Sequence, residues 1–131
     1  MLVVDSSVLF VGLADDGPDG DRVRARLAPE GELVAPDMLD LEVLSVLRRH
    51  AAAGGVDPRR AEQVLVDLAD LPLRRVPHLQ LLPRCWALRG NFTSYDAAYV
   101  AVAEMLDLTL LTADRRIARA PGSRCEIELM A

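Results

Sequence analysis

The chain has 131 residues, 20 acids against 15 bases for a net charge of −5, and is 51% hydrophobic but only 4% aromatic. That length is one domain, 1–131, with a core of Leu, Val and Ala. No apolar run approaches the roughly 20 residues of a membrane span, and the negative balance excludes a general nucleic-acid binder. All 15 bases are arginine, which excludes chemistry that needs an amine, such as a Schiff base or a P-loop lysine.

Leu2-Val3-Val4 are β-formers without alternation, as in a strand buried on both faces. Residues 2–5 are read as this strand and 6–14 as a short helix with Val8, Leu9, Val11 and Leu13 apolar. The start lacks the basic region of a signal peptide, so a soluble cytoplasmic protein is expected. Asp15 to Gly20 is a polar turn, followed by a helix over about 20–28 whose Arg22, Arg24 and Arg26 form a solvated face. Leu33-Val34-Ala35 is a second strand. Asp37 and Asp40 are placed to cap the helix over about 38–53, which Gly54-Gly55 ends.

Asp57-Pro58 starts a helix that runs to about Leu71, an N-cap followed by proline at the first helical position. Leu73 to Val76 is a third strand. Residues 78–89 read as a helix anchored by Leu79, Leu82, Trp86 and Leu88, with Trp86 in the core and Pro83 in the first turns. Thr93-Ser94 caps the helix from Tyr95 to Leu106, whose alanines suit close packing on a sheet. Leu108 to Leu111 is a fourth strand, Asp114 caps a short helix to about Arg119, and Cys125 to Leu129 supplies a last strand. Strands alternating with helices predict a three-layer α/β/α sandwich with a mostly parallel central sheet.

Cys85 and Cys125 stand without a Cys-x-x-Cys or a nearby His pair, so they read as buried thiols and not as zinc ligands. His50 and His78 are isolated and read as surface or helix-end residues.

Four acids are less easily placed. Asp5 falls where a buried strand ends, and in open α/β sheets ligands bind outside the carboxyl ends of strands. Glu42 interrupts the apolar run from Leu41 to Leu47, with Ser45 and Arg49 on its own stripe of the helix. Asp96 opens the alanine-rich helix, and Asp114 follows the fourth strand through Thr112. Each has a simple account alone: a turn for Asp5, a Glu42–Arg49 surface stripe, a dipole-complementing Asp96, an N-cap Asp114. If the first and fourth strands are adjacent, however, Asp5, Asp96 and Asp114 converge at one rim. Two like charges about 4 Å apart repel by roughly 4 kcal/mol at an effective dielectric of 20, so convergence implies raised pKa values or a bound cation. Oxygen ligands without His or Cys favour Mg²⁺ or Mn²⁺, ions suited to phosphate substrates.

The stretches Val3-Val4-Asp5-Ser6-Ser7-Val8, Leu41-Glu42-Val43 through Leu47-Arg48-Arg49, Thr93-Ser94-Tyr95-Asp96-Ala97-Ala98-Tyr99-Val100-Ala101 and Leu110-Leu111-Thr112-Ala113-Asp114-Arg115-Arg116 together resemble the PIN-domain nucleases, specifically the VapC toxins of bacterial toxin–antitoxin pairs. Any one motif is weak; four in order span essentially the whole chain. The resemblance implies a single PIN-like domain and a Mg²⁺- or Mn²⁺-dependent endoribonuclease, leaving 5′-phosphate and 3′-hydroxyl ends. Asp5 and Asp96 would be the main metal ligands, Glu42 a ligand directly or through water, and Asp114 a support for a second ion. It also implies that Ser7 and Thr112 orient these groups, and that Arg115 and Arg116 hold substrate phosphates or simply cover a helix surface. A homodimer and a VapB-like antitoxin, wrapping the toxin with an apolar helix and presenting a basic side chain to the acids, are implied partners.

Two readings compete. A receiver-like or phosphatase-like domain using Asp5 as nucleophile would want a lysine or a second acid in Asp5-Ser6-Ser7, and neither is present. A non-catalytic RNA-binding or protein-interaction module on the same fold would want more aromatics to stack bases.

Overall fold

The structure is a computed structural model and describes residues 1–130. Five strands, β1 (Leu2–Val4), β2 (Leu33–Pro36), β3 (Leu73–Val76), β4 (Leu110–Thr112) and β5 (Ile127–Leu129), form one sheet of order β3-β2-β1-β4-β5. Every pairing is parallel, so the sheet is parallel throughout. β1 is central: Val3 pairs with Val34 on one side and Leu110 on the other. Its three residues are all buried, as the unbroken apolar run demands.

Helices α1 (Ser6–Ala14), α2 (Pro18–Leu27), α3 (Leu39–Ala52) and α4 (Pro58–Asp70) fill the crossovers from β1 to β3, and α1 packs on α2, α3 and α4. Helices α5 (Leu82–Ala87) and α6 (Ser94–Leu106) fill the return from β3 to β4, and α6 lies against β1, β2 and β4. α7 (Arg115–Arg119) joins β4 to β5. Strand order runs outward from β1 in both directions. Right-handed crossovers then put the first four helices on one face and the later ones on the other. Small residues let α6 approach closely: Ala97, Ala98, Ala101 and Ala103 are buried, as is everything else from Ala97 to Ala103. Among the described residues no helix is long and apolar enough to cross a membrane.

Four details depart from the sequence reading. α2 begins at Pro18, with proline in the first turn, and its arginines are not merely solvated: Arg26 grips Glu30 and, through two bonds, Glu128 on β5. α3 has no side-chain cap. The Asp37 N–H goes instead to the Val76 carbonyl, and Asp40 takes two bonds from Arg75, at 2.6 and 2.9 Å. Residues 78–89 are not one helix but a 3₁₀ turn, Leu79–Leu81, and the short α5, because Pro83 lacks an N–H and suits a first turn. The inward stripe there is Leu81, Cys85 and Leu88, while Leu79, Leu82 and Trp86 face out, Trp86 68% exposed. Of the four expected anchors Leu88 is buried as expected, and the core takes Leu81 and Cys85 beside it in place of Leu79, Leu82 and Trp86. Finally, Cys85 and Cys125 are half-buried free thiols, and burial pushes both of their pKa values up.

Candidate active site

β1 and β4 are neighbours, although they lie at opposite ends of the chain. Strand order reverses between them, and crevices at such switch points are where open α/β sheets bind ligands. The Asp5 N–H bonds the Leu111 carbonyl at 2.9 Å, so Asp5 extends β1 by one residue at that crevice. Its side chain does not cap α1. Instead the carboxylate is almost fully buried, 5% exposed. Ser7 donates to its Oδ2 at 2.8 Å and Thr112 donates to the same oxygen at 2.7 Å. Oδ1 is left facing the Ser6 hydroxyl at 3.5 Å. Ser7 and Thr112 also accept the Ala113 and Asp114 N–H groups, respectively, tying the loop after β4 to the same carboxylate.

Glu42 enters from the first turn of α3, just after β2. It is bonded not by Arg49 but by the phenol of Tyr99, at 2.6 Å. Burial raises its pKa; the Tyr99 bond opposes this, and the charges of Asp5 and Asp96 add to it. Asp96 comes from the first turn of α6, where Thr93 caps the helix by accepting the Asp96 N–H. Burial raises its pKa as well, with Asp5 and Asp114 contributing. Asp114 caps α7, accepting from the Arg116 N–H at 2.8 Å, and also receives the Arg116 guanidinium at 2.8 Å. That guanidinium holds the Asp114 carboxyl below the usual range.

The expected acids therefore lie along one rim and feel one another's charge. Among the described residues, no group of three His, Cys, Asp or Glu side chains is already arranged to chelate an ion. The Asp114 carboxylate is taken up by Arg116, and Glu42 is held where it lies by the Tyr99 hydroxyl. Still, the donor set fits a hard divalent ion: it is all oxygen, and Asp5, Glu42 and Asp96 have no cationic partner among the ion pairs of the described residues. In a chain with 15 arginines, three carboxylates left without one at a single crevice form a site with unspent negative charge.

Two further hydroxyls lie beside these acids without a mark in the sequence. Tyr99, fully buried, reads as one more core aromatic, yet it stands three residues after Asp96 and so on the same face of α6. Ser6 reads only as a helix start. Of the expected phosphate-binding arginines, Arg115 and Arg116 are both exposed, and Arg116 is engaged by Asp114.

Residues 2–123 match the model of the PIN domain family. Over 129 residues the chain is 41% identical to Ribonuclease VapC1 of Mycobacterium tuberculosis, covering 98% of this chain and 96% of that one. It is 38% identical to Ribonuclease VapC12 of the same species over an alignment of 132 positions that covers 100% of both chains. The fold is shared with FitAcB from Neisseria gonorrhoeae, at a TM-score of 0.69 and 17% identity over 97% of this chain and 96% of that one.

Proposed function

The chain belongs to the PIN-domain family of VapC ribonucleases, the toxins of toxin–antitoxin pairs, and from that premise we propose that Asp5, Glu42, Asp96 and Asp114 form the nuclease site and hold Mg²⁺ or Mn²⁺. The observation that carries this reading is the set of acids at the β1/β4 crevice, three of them without a cation. When bound, the ion supplies charge neutralisation for the phosphodiester and eases ionisation of the attacking water.

The protein's own residues do the rest. Ser7 and Thr112 fix Oδ2 of Asp5, so that the carboxylate need not reorganise during the reaction. Asp96 and Glu42 project from two helices that the sheet fixes in place. Asp114 acts on Asp96 by its charge while its own carboxylate is engaged by Arg116. Arg115, exposed on α7 beside the rim, is the arginine free to meet a substrate phosphate, and Arg116 joins it when Asp114 releases it.

Two partner surfaces accompany this reading. A cleft of about 710 Å³ between α1, α2 and α4, lined by Leu9, Leu13, Leu27 and Leu71 with Arg24 and Arg60 at its edge, suits the apolar helix of a VapB-like antitoxin. The exposed Leu41, Leu82, Trp86 and Tyr95 border two clefts that share Met38 and Tyr95, an apolar face suited to a second copy of the chain.

The test is Mg²⁺-dependent cleavage of a structured RNA by the wild type and by Asp5→Asn. The variant is expected to lose roughly two orders of magnitude or more in rate. Equal cleavage by both proteins would remove the assignment to this site.

A further inference from the structure

We propose that Tyr99 is a positioning residue of this site, its buried hydroxyl holding the Glu42 carboxylate of α3 at the rim that Asp5 and Asp96 share. The inference rests on the nuclease reading above and adds to it a residue that is not itself an acid.

A tyrosine is an odd choice at its position. Residues 97–103 of α6 are all buried, and a phenylalanine would fill the same space without a polar atom to satisfy. The ring is fully buried, and its hydroxyl donates to Glu42 Oε1 at 2.6 Å, the short distance of a charge-assisted bond. Glu42 has few other anchors. Arg49, its neighbour on the helix stripe, makes no bond to it, and Leu41 beside it is 67% exposed. Left alone, this long side chain would leave its half-buried place for water, away from Asp5 and Asp96.

The placement also follows from the helix. Asp96 and Tyr99 lie one turn apart on one face of α6, so a single helix carries one acid directly and governs a second through a hydrogen bond. The Ser6 hydroxyl lies 3.5 Å from Asp5 Oδ1, on the side of the crevice where the Asp5 charge acts on both Glu42 and Tyr99. Each of the two acids is thus held by hydroxyl donors of its own, Asp5 by Ser7 and Thr112 and Glu42 by the phenol.

The experiment compares the wild type, Tyr99→Phe, Glu42→Ala and the double variant, reading Mn²⁺ binding by calorimetry and cleavage of a structured RNA. Tyr99→Phe is expected to melt cooperatively, to bind Mn²⁺ about 10–100-fold more weakly, and to lose kcat with KM for RNA unchanged. In the Glu42→Ala background the same change is expected to cost nothing further. Glu42→Asp, whose shorter carboxylate falls out of reach of the phenol, should reproduce the loss and mask Tyr99→Phe if the latter folds poorly alone. Wild-type Mn²⁺ affinity in Tyr99→Phe overturns the proposal, and so does an equal penalty with and without Glu42. A wild type that binds no Mn²⁺ and cleaves regardless of Asp5 instead overturns the nuclease reading beneath it.

Discussion

Thr112 donates its hydroxyl to Asp5 Oδ2 at 2.7 Å, a bond that joins residues 107 apart in sequence across the point where the strand order reverses. Thr112 is the last residue of β4 and fully buried, so the sheet itself holds the donor in place. The site is in this sense an outgrowth of the β1–β4 pairing: whatever registers Val4 against Leu111 also registers the carboxylate.

Thr112→Val keeps the shape and the β-propensity but removes the donor, along with the acceptor of the Asp114 N–H. A hydrogen bond to a charged group contributes about 1.5–3 kcal/mol, so the melting temperature is expected to fall. Activity is expected to drop about 10–100-fold, with a matching loss of Mn²⁺ affinity, as for other groups that orient ligands. Lower stability with unchanged Mn²⁺ affinity would make the hydroxyl a structural bond only.

The raised acids give a pH prediction with a definite sign. Burial lifts Glu42 and Asp96 above the ordinary carboxylate range. The folded state therefore favours their protonated forms. That contribution is fully present below the unfolded pKa and is lost as pH rises through the folded one. Near neutrality the metal-free fold carries two unfavourable charges. In a chelator at pH 7, Glu42→Gln and Asp96→Asn should each melt about 2–4 °C above the wild type, the gain shrinking as pH is lowered toward 4. A lower melting temperature at pH 7 would show that these charges are compensated within the protein.

Much of this is legible in the sequence. Asp5 and Asp114 each follow an apolar strand, and parallel topology leaves few places for such acids except one rim. Thr93 and Asp57 cap the helices their positions suggest, each accepting the N–H it should. Asp40 misled because a carboxylate near a helix start has a local role on offer, while its real partner, Arg75, lies on β3. Trp86 misled for a related reason. Residues 79–88 hold two apolar stripes of one period, and only the packing of Leu81, Cys85 and Leu88 onto the core decides between them. Tyr99 hid because a buried aromatic in a buried helix needs no further explanation until its hydroxyl is traced to Glu42.

The two arginines of α7 should separate in their effects. Arg116 bonds Asp114 through Nε and Nη2 from an exposed position, so Arg116→Ala is expected to leave the melting temperature unchanged and to strengthen Mn²⁺ binding a few-fold by releasing an acid. Arg115 has no such partner among the described residues. Losing a phosphate contact lowers the dependence of RNA binding on salt, by about 0.7 in the log–log slope for a single strand. Arg115→Ala should therefore raise KM at low salt and flatten its salt dependence with kcat retained. Unchanged salt dependence would return Arg115 to the role of a solvated helix residue.

The outward face of the 3₁₀ turn and α5 makes the last prediction. Leu79, Leu82 and Trp86 are 80%, 55% and 68% exposed, and Arg89 stacks on the Trp86 ring at 4.2 Å. Together with Leu41, Leu44 and Tyr95 this is more exposed apolar surface than scattered single residues account for. A stable dimer needs about 1,200–2,000 Å² buried in total, and aromatic side chains at the centre of such a face carry a large share of the energy. Trp86→Glu places a charge there while removing nothing from the core. The wild type is expected to sediment as a dimer at micromolar concentration and Trp86→Glu as a monomer, with the same cooperative melting. A wild type that sediments as a monomer across that range would leave the face to some other protein, and a dimer unaffected by Trp86→Glu would move the contact elsewhere on the surface.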